Sequence, residues 1–319
     1  MLNPKRLALV LLLLCGCLGM GAGCRKKGGI LPAHVTLYTA YGTGTTGKLY
    51  ARVSKGPKDP APEPGESTIQ RVEETILALD ARALHGAHVE VVVGTSAMQT
   101  KSDRRGYVEL ALPAKLPPAV QVEIRLKEPG YDAASVQTKL EVFGDEPGLA
   151  VVSDLDDTLL DSQVTDKAKM AANAIVRSTW ELRTFPEAEK KLSAAAKQEP
   201  VFYLSGSPWG FHDRIGSFLA RQGFPKGVLI LKRFSSEPLL DQMAFKYPHL
   251  KEILDSLPKR RFLLFGDSGE KDPEIYARLR QEMPGRVERI FIHHITQEPA
   301  DSPRFAGMTV FRKWSDLQL

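Results

Sequence analysis

The chain has 319 residues, enough for two ordinary domains. Hydrophobic residues make up 43% and charged residues 25%, so intrinsic disorder is excluded as the default state. The formal net charge of +5 comes without a dense basic block or regular aromatic-basic interleaving, so nucleic acid is not an expected partner.

All three cysteines, Cys15, Cys17 and Cys24, fall in the opening MLNPKRLALVLLLLCGCLGMGAGC. Lys5 and Arg6 precede an apolar core, Leu7 to Leu14, which gives way to glycines after Leu18. A spanning helix needs about 20 predominantly apolar residues, so this is a secretory signal, residues 1–24. Gly21-Ala22-Gly23-Cys24 resembles a bacterial lipoprotein signal, in which the cysteine is lipidated and becomes the first mature residue. The usual branched residue three positions before that cysteine is replaced by Gly21. Leu14-Cys15-Gly16-Cys17 fits that position better but leaves a short apolar core. Cys24 is the preferred lipidation site and Cys17 stays open; a cleaved signal with a soluble product is the competing reading. Loss of Lys5 and Arg6 takes the charge from +5 to +3. Arg25-Lys26-Lys27 would then sit close to anionic headgroups. The expected location is the bacterial cell envelope, lipid-anchored, at the outer membrane or facing the periplasm.

Residues 25–146 are expected to form a small β-sandwich. HVTLYTAY, KLYARVS, HVEVVVG, YVELAL, VQVEIRL and SVQTKLEVF are short runs rich in β-branched and aromatic residues. Turn chemistry such as Asp103-Arg104-Arg105-Gly106 and Glu128-Pro129-Gly130 separates them. KGPKDPAPEPGE is a Pro-rich loop, and STIQRVEETILALDARAL has the spacing of an amphipathic helix. Gly42-Thr43-Gly44-Thr45-Thr46-Gly47-Lys48 matches the first seven positions of a phosphate-binding P-loop. Leu49 replaces the hydroxyl residue that would hold magnesium, and the motif opens a strand pattern rather than a helix. A hairpin turn is the better reading.

After Asp145-Glu146-Pro147-Gly148 the rhythm changes. LAVVS, PVFYLS, GVLILK, RRFLLFG and RIFIHHI read as strands buried on both faces. Helical patterns such as PWGFHDRIGSFLARQG and PHLKEILDSL lie between them, which predicts a doubly wound parallel α/β domain over residues 147–319. Ligands in such folds bind beyond the carboxyl ends of the strands.

The first of these strands ends in Ser153-Asp154-Leu155-Asp156-Asp157-Thr158. Alternation puts Asp154 and Asp156 on one side, Leu155 in the core, and Asp157 away as a structural residue. The second strand, VFYL, ends in Ser205-Gly206-Ser207; Lys246 precedes the helical stretch YPHLKEIL; RFLLF ends in Gly266-Asp267-Ser268-Gly269-Glu270-Lys271-Asp272. In this order the pieces DxDxT, Ser, Lys and GDxxxxD resemble the haloacid dehalogenase superfamily of phosphatases. SDLDDTLLDSQVTDK, FYLSGSPWGFHDRIGSFLARQGFPKG, LLFGDSGEKDPEIYARL and GRVERIFIHHIT resemble, within it, the family of the actin-patch phosphatidate phosphatase. That similarity covers most of residues 147–300.

The resemblance implies a phosphomonoester hydrolase that takes magnesium. Asp154 would be the nucleophile and form an aspartyl-phosphate, and Asp156 would protonate the leaving oxygen and then activate water. Asp154, Asp267 and the Asp156 carbonyl would hold Mg2+, with Asp272 orienting waters or joining the shell. Thr158, Ser205 and Gly206 would bind the phosphoryl oxygens, and Lys246 would lend them positive charge. A carboxylate attacking a phosphate dianion meets repulsion of about 4 kcal/mol per charge pair at ~4 Å in a medium of effective dielectric 20. A hard divalent cation, held by one or two carboxylates and the phosphate, offsets it.

Blander readings fare worse. An EF-hand loop starting at Asp154 would need Gly and Glu where Leu159 and Thr165 stand. Ser205 and Ser207 lack the glycine two residues before a hydrolase nucleophile. His293 and His294 are adjacent on a strand and face opposite sides, which favours a core or surface role over joint metal binding. Trp209 and Phe211 read as packing residues. The segment between Leu159 and Glu199 is too short for a large lid, so bulky esters fit. Phosphatidate is the expected substrate; a soluble or protein-bound envelope phosphoester, or a non-catalytic binding role, are the alternatives.

Overall fold

The computed structural model describes residues 30–56, 82–161, 183–233, 237 and 241–319. The secretory signal with Cys17 and Cys24, the tether, most of the helix expected over residues 67–84, and residues 162–182 lie outside the described residues. Among the described residues no helix is long and apolar enough to cross a membrane.

The chain is mixed α/β. Its first part comprises β1 (Ala33–Gly42), β2 (Gly47–Lys55), β3 (His88–Val93), β4 (Ser96–Lys101), β5 (Tyr107–Leu112), β6 (Gln121–Leu126), β7 (Ser135–Lys139) and β8 (Glu141–Val142). They form two four-stranded sheets, in order β5-β2-β1-β8 and β4-β3-β6-β7. Pairing is antiparallel except between β1 and β8. In β3 and β6 every second residue is buried, the period of a half-buried strand. Val35, Leu49 and Val53 of one sheet and Val89, Val122 and Ile124 of the other share one apolar cluster.

The P-loop-like stretch is the β1–β2 hairpin turn, as its strand pattern predicts. Gly42 pairs with Gly47, and the Thr43 hydroxyl donates to the Thr46 carbonyl at 2.8 Å. A Cβ on Gly47 would lie 2.8 Å from the Tyr41 carbonyl oxygen, so glycine is needed there for close strand approach.

The second part comprises β9 (Gly148–Ser153), β10 (Leu160–Asp161), β11 (Arg183–Thr184), α1 (Ala188–Ala196), β12 (Val201–Pro208), α2 (His212–Arg221), β13 (Val228–Lys232), α3 (Gln242–Ser256), β14 (Arg260–Asp267), α4 (Asp272–Glu282), β15 (Val287–His293) and β16 (Thr309–Phe311). Six strands form one wholly parallel sheet in the order β13-β12-β9-β14-β15-β16. The chain starts in the middle at β9, builds outward through β12 and β13, then crosses to β14 and builds the other way. The order therefore reverses beside β9, and the carboxyl end of that strand is the switch point where sheets of this kind bind ligands.

Two local differences from the sequence reading concern the site. The strand through Ser205 runs on to Pro208, and Lys246 lies inside α3 rather than ahead of it. Proline usually marks a helix start. Here Asp241 accepts from the Ala244 N–H at 2.9 Å and starts α3 a turn and a half before Pro248.

The boundary read at residue 146 falls between β8 and β9, but the apolar core crosses it. Tyr38 and Tyr50 of the first part stack on Trp209 at 5.3 and 5.0 Å between ring centroids, and Tyr41 packs edge-on against Phe202 at 5.6 Å. Lys48 pairs with Glu252 on α3 at 2.7 Å, and Thr45 donates to the Ser256 carbonyl at 2.7 Å.

Candidate active site

The sequence-derived residues meet at the carboxyl ends of β9, β12 and β14. Asp154 leaves β9 with its N–H donating to the Phe265 carbonyl at 2.9 Å, which ties the loop to β14. Leu155 is fully buried, as alternation predicts. Asp157 takes a left-handed conformation, φ 58°, which a short polar side chain tolerates better than most. Its carbonyl accepts from His293 Nδ1 at 2.7 Å, and the Thr158 carbonyl accepts from the Trp314 indole at 3.1 Å. Asp157 and His293 thus act structurally, fastening the loop that carries Asp154 and Asp156. His294 packs edge-on against Phe305 at 5.6 Å, apart from His293's bonds, in keeping with separate core roles for the two rings. Trp209, packed between tyrosines, is a core residue as expected.

Lys246 is the hub of the site. Its ammonium, 1% exposed, lies 2.8 Å from Asp154 Oδ1, 2.7 Å from Asp272 Oδ1 and 2.9 Å from Glu270 Oε2. These three carboxylates have oxygens within 4.8 Å of one another, a spacing that a metal could also use. Here they converge on the ammonium. Thr158 donates to the other oxygen of Asp154 at 3.1 Å. Ser205 donates to Asp156 Oδ2 at 2.9 Å and accepts from the Ser207 N–H at 3.0 Å.

Charge is unbalanced. Five carboxyl groups gather here, Asp154, Asp156, Asp267, Glu270 and Asp272, and the Lys246 ammonium pairs with three of them, Asp154, Glu270 and Asp272. Burial pushes Asp154 well above the usual carboxylate range; Lys246 pulls it down, and Asp272, Glu270 and Asp267 push it further up. Burial and Glu270 push Asp156 up to about 6, against the hydrogen bond from Ser205. Lys246 stays charged because Asp154, Asp272 and Glu270 outweigh its desolvation.

The Asp267 carboxylate is the part that suits a cation. Its Oδ1 accepts from the N–H groups of Gly269 at 2.6 Å and Glu270 at 3.0 Å. Its Oδ2 is buried with no hydrogen-bond partner. A bare buried carboxylate oxygen is costly unless something positive meets it, and oxygen ligands suit hard divalent cations. The bare Asp267 oxygen thus suits a divalent metal, and Asp154, Glu270 and Asp272 have the spacing of a second possible set of ligands.

Glu270 and Gln242 join the site without having been picked out from the sequence. Glu270 had a signal, an acidic residue inside GDxxxxD. Gln242, the first residue of α3, had none, since nothing local marks a helix start that faces a distant strand end.

A carboxylate-rich centre lies at the switch point of a parallel sheet, and the same part of the chain matches known proteins. Residues 149–294 match the family model described as the catalytic domain of phosphatidate phosphatase APP1, which supports a phosphatase. Phosphatidate phosphatase APP1 of Saccharomyces cerevisiae is 29% identical over 163 residues, covering 49% of this chain and 27% of that protein. An uncharacterised protein of Schizosaccharomyces pombe is 24% identical over 159 residues, covering 48% of this chain and 26% of that protein. The chain thus spans about a quarter of the length of these relatives. Among solved structures, a chain of the Pnkp1/Rnl/Hen1 complex matches over 47% of each chain with 20% identity and a TM-score of 0.35, too distant to carry an argument.

Proposed function

We propose that the chain is a magnesium-dependent phosphomonoester hydrolase of the haloacid dehalogenase type, acting on phosphatidate or a closely related lipid phosphate. Residues 147–319 form its catalytic domain and residues 25–146 a β-sandwich joined to it. The observation that carries the reading is the convergence of Asp154, Asp272 and Lys246 beside a partnerless Asp267 oxygen. The match of residues 149–294 to the phosphatidate phosphatase catalytic-domain model supports the substrate class. Lipidation at Cys24 and an envelope location complete the proposal, since a tethered enzyme meets lipid substrates at the membrane.

When bound by Asp154, Asp267 and the Asp156 carbonyl, magnesium would neutralise phosphoryl charge and hold the phosphate in line. Lys246, fixed by its carboxylates, directs positive charge at the oxygens of the transferring group. Ser205, Gly206 and Thr158 line the same space with hydroxyl and backbone groups. Asp154 attacks phosphorus through a carboxylate oxygen, and the bond to the leaving alkoxide breaks. Asp156, with a pKa pushed up to about 6, is a better proton donor near neutral pH than a free aspartate. It gives its proton to the leaving oxygen, then takes one from the water that attacks phosphorus and releases Asp154.

Phosphate release from phosphatidate in mixed micelles, with magnesium or chelator, tests the reading against the Asp154→Asn variant. Magnesium-dependent release that the variant loses supports it. Release from soluble esters alone would sink the lipid substrate and keep the chemistry. No release from any ester would overturn the enzyme.

A further inference from the structure

A ring of contacts leaves the nucleophile loop and returns to it. From Asp154 it passes to Lys246 at 2.8 Å, and from Lys246 to Glu270 Oε2 at 2.9 Å. Gln242 Nε2 donates to Glu270 Oε1 at 2.8 Å. The Gln242 amide then lies against Gly206, where a Cβ would meet its Nε2 and Oε1 at 3.8 and 3.9 Å. Next to Gly206, Ser205 donates to Asp156 at 2.9 Å, which returns the ring to the loop it left.

One atom on this ring is unsatisfied. Gln242 Oε1 is buried and has no hydrogen-bond partner. Its orientation is forced, because the reversed amide would aim a carbonyl oxygen at the Glu270 carboxylate. A buried acceptor without a donor is costly and calls for an explanation. A phosphate dianion cannot supply one, since its oxygens only accept. The complementary group is a hydroxyl, and the part of a phosphomonoester that can carry one is the alcohol.

We propose that Gln242 Oε1 accepts a hydrogen bond from a free hydroxyl on the alcohol portion of the substrate, close to the ester oxygen. The preferred substrates are then phosphate monoesters of glycerol-type polyols with an unblocked neighbouring hydroxyl. This rests on the phosphatase reading above and narrows its substrate class. In a lipid, the chemistry belongs to a monoacyl glycerol phosphate rather than to phosphatidate, whose neighbouring hydroxyl is esterified. In solution, it belongs to glycerol 3-phosphate.

The test uses the full chain in magnesium and two matched substrate pairs. One pair is lysophosphatidate and phosphatidate in mixed micelles; the other is glycerol 3-phosphate and propyl phosphate. Within at least one pair the parent is expected to favour the hydroxyl-bearing ester in kcat/KM by roughly tenfold or more. The pair that responds identifies the lipid or the soluble source. Gln242→Leu is expected to bring that ratio close to one. Because the ratio is taken within one protein, a general loss of folded enzyme leaves it unmoved, and Gln242→Met serves the same purpose should the leucine variant fail to fold. A parent ratio near one in both pairs, or a preference that survives in both variants, overturns the subsite while the phosphatase stands. No turnover of any ester by the parent overturns the phosphatase reading and the subsite with it.

Discussion

The Lys246 ammonium lies 2.8 Å from the Asp154 carboxylate, and both side chains are almost wholly buried, 1% and 2% exposed. In that setting the lysine is a structural counter-charge to the carboxylates around it. Removing one partner of a buried ion pair costs more than the pair itself contributes. Lys246→Met should therefore destabilise the cation-free chain by about 3 kcal/mol, since Asp154, Asp272 and Glu270 all lose their ammonium. Urea unfolding in chelator reads this directly. A variant as stable as the parent would mean the carboxylates simply take up protons.

Asp267 is expected to control metal affinity more than fold. Its Oδ2 has no protein partner to lose, and Asp267→Asn keeps an oxygen for the Gly269 and Glu270 N–H groups. The magnesium concentration for half-maximal phosphate release should rise by about 10- to 100-fold. An unchanged magnesium requirement would place the cation elsewhere.

The pH dependence of stability follows from Asp156. Burial and Glu270 push its carboxyl up to about 6, above the ~4 of an unfolded aspartate. The folded chain holds this proton more tightly than the unfolded one. The stabilisation is fully present below about pH 4 and is lost as pH rises through about 6. Between those limits, in chelator, the parent should lose about 2 kcal/mol relative to Asp156→Asn. Paired unfolding curves across the range settle it; a constant difference between the two proteins would contradict the perturbed environment.

Trp209 stacks between Tyr38 and Tyr50 and follows the strand that carries Ser205. Trp209→Ala should cost about 3–5 kcal/mol, the range for a buried aromatic cut to alanine. Because the rings join the two parts, near-ultraviolet and far-ultraviolet signals of the parent should unfold together. Two separated transitions in the parent would show that the parts melt independently.

Much of the catalytic half was legible from short runs. β9, β13 and β14 are apolar on both faces, so they announce a parallel sheet without any partner in view. The aspartates after β9 and the GDxxxxD after β14 were legible as chemistry because like charges are not kept together without a counter-charge. β16 was not: three residues near the end of the chain carry no periodicity, and they become a strand only by pairing with β15. The true start of α3 was obscured by Pro248, a proline that reads as a helix beginning when the Asp241 cap is not recognised.

The sequence by itself determined the class of chemistry, because the acids, hydroxyls and lysine that phosphate requires stand in a fixed order with strand-end spacing. It also determined that the P-loop-like stretch is a turn, because Leu49 and a strand pattern follow it. The tertiary structure decided which groups face one another. Glu270 became a partner of Lys246, and Gln242 a neighbour of Gly206, through the packing of α3 against β12 and α4. Which carboxylate oxygen was left bare was settled there too. Those relations depend on contacts between residues dozens of positions apart, and local pattern carries no information about them.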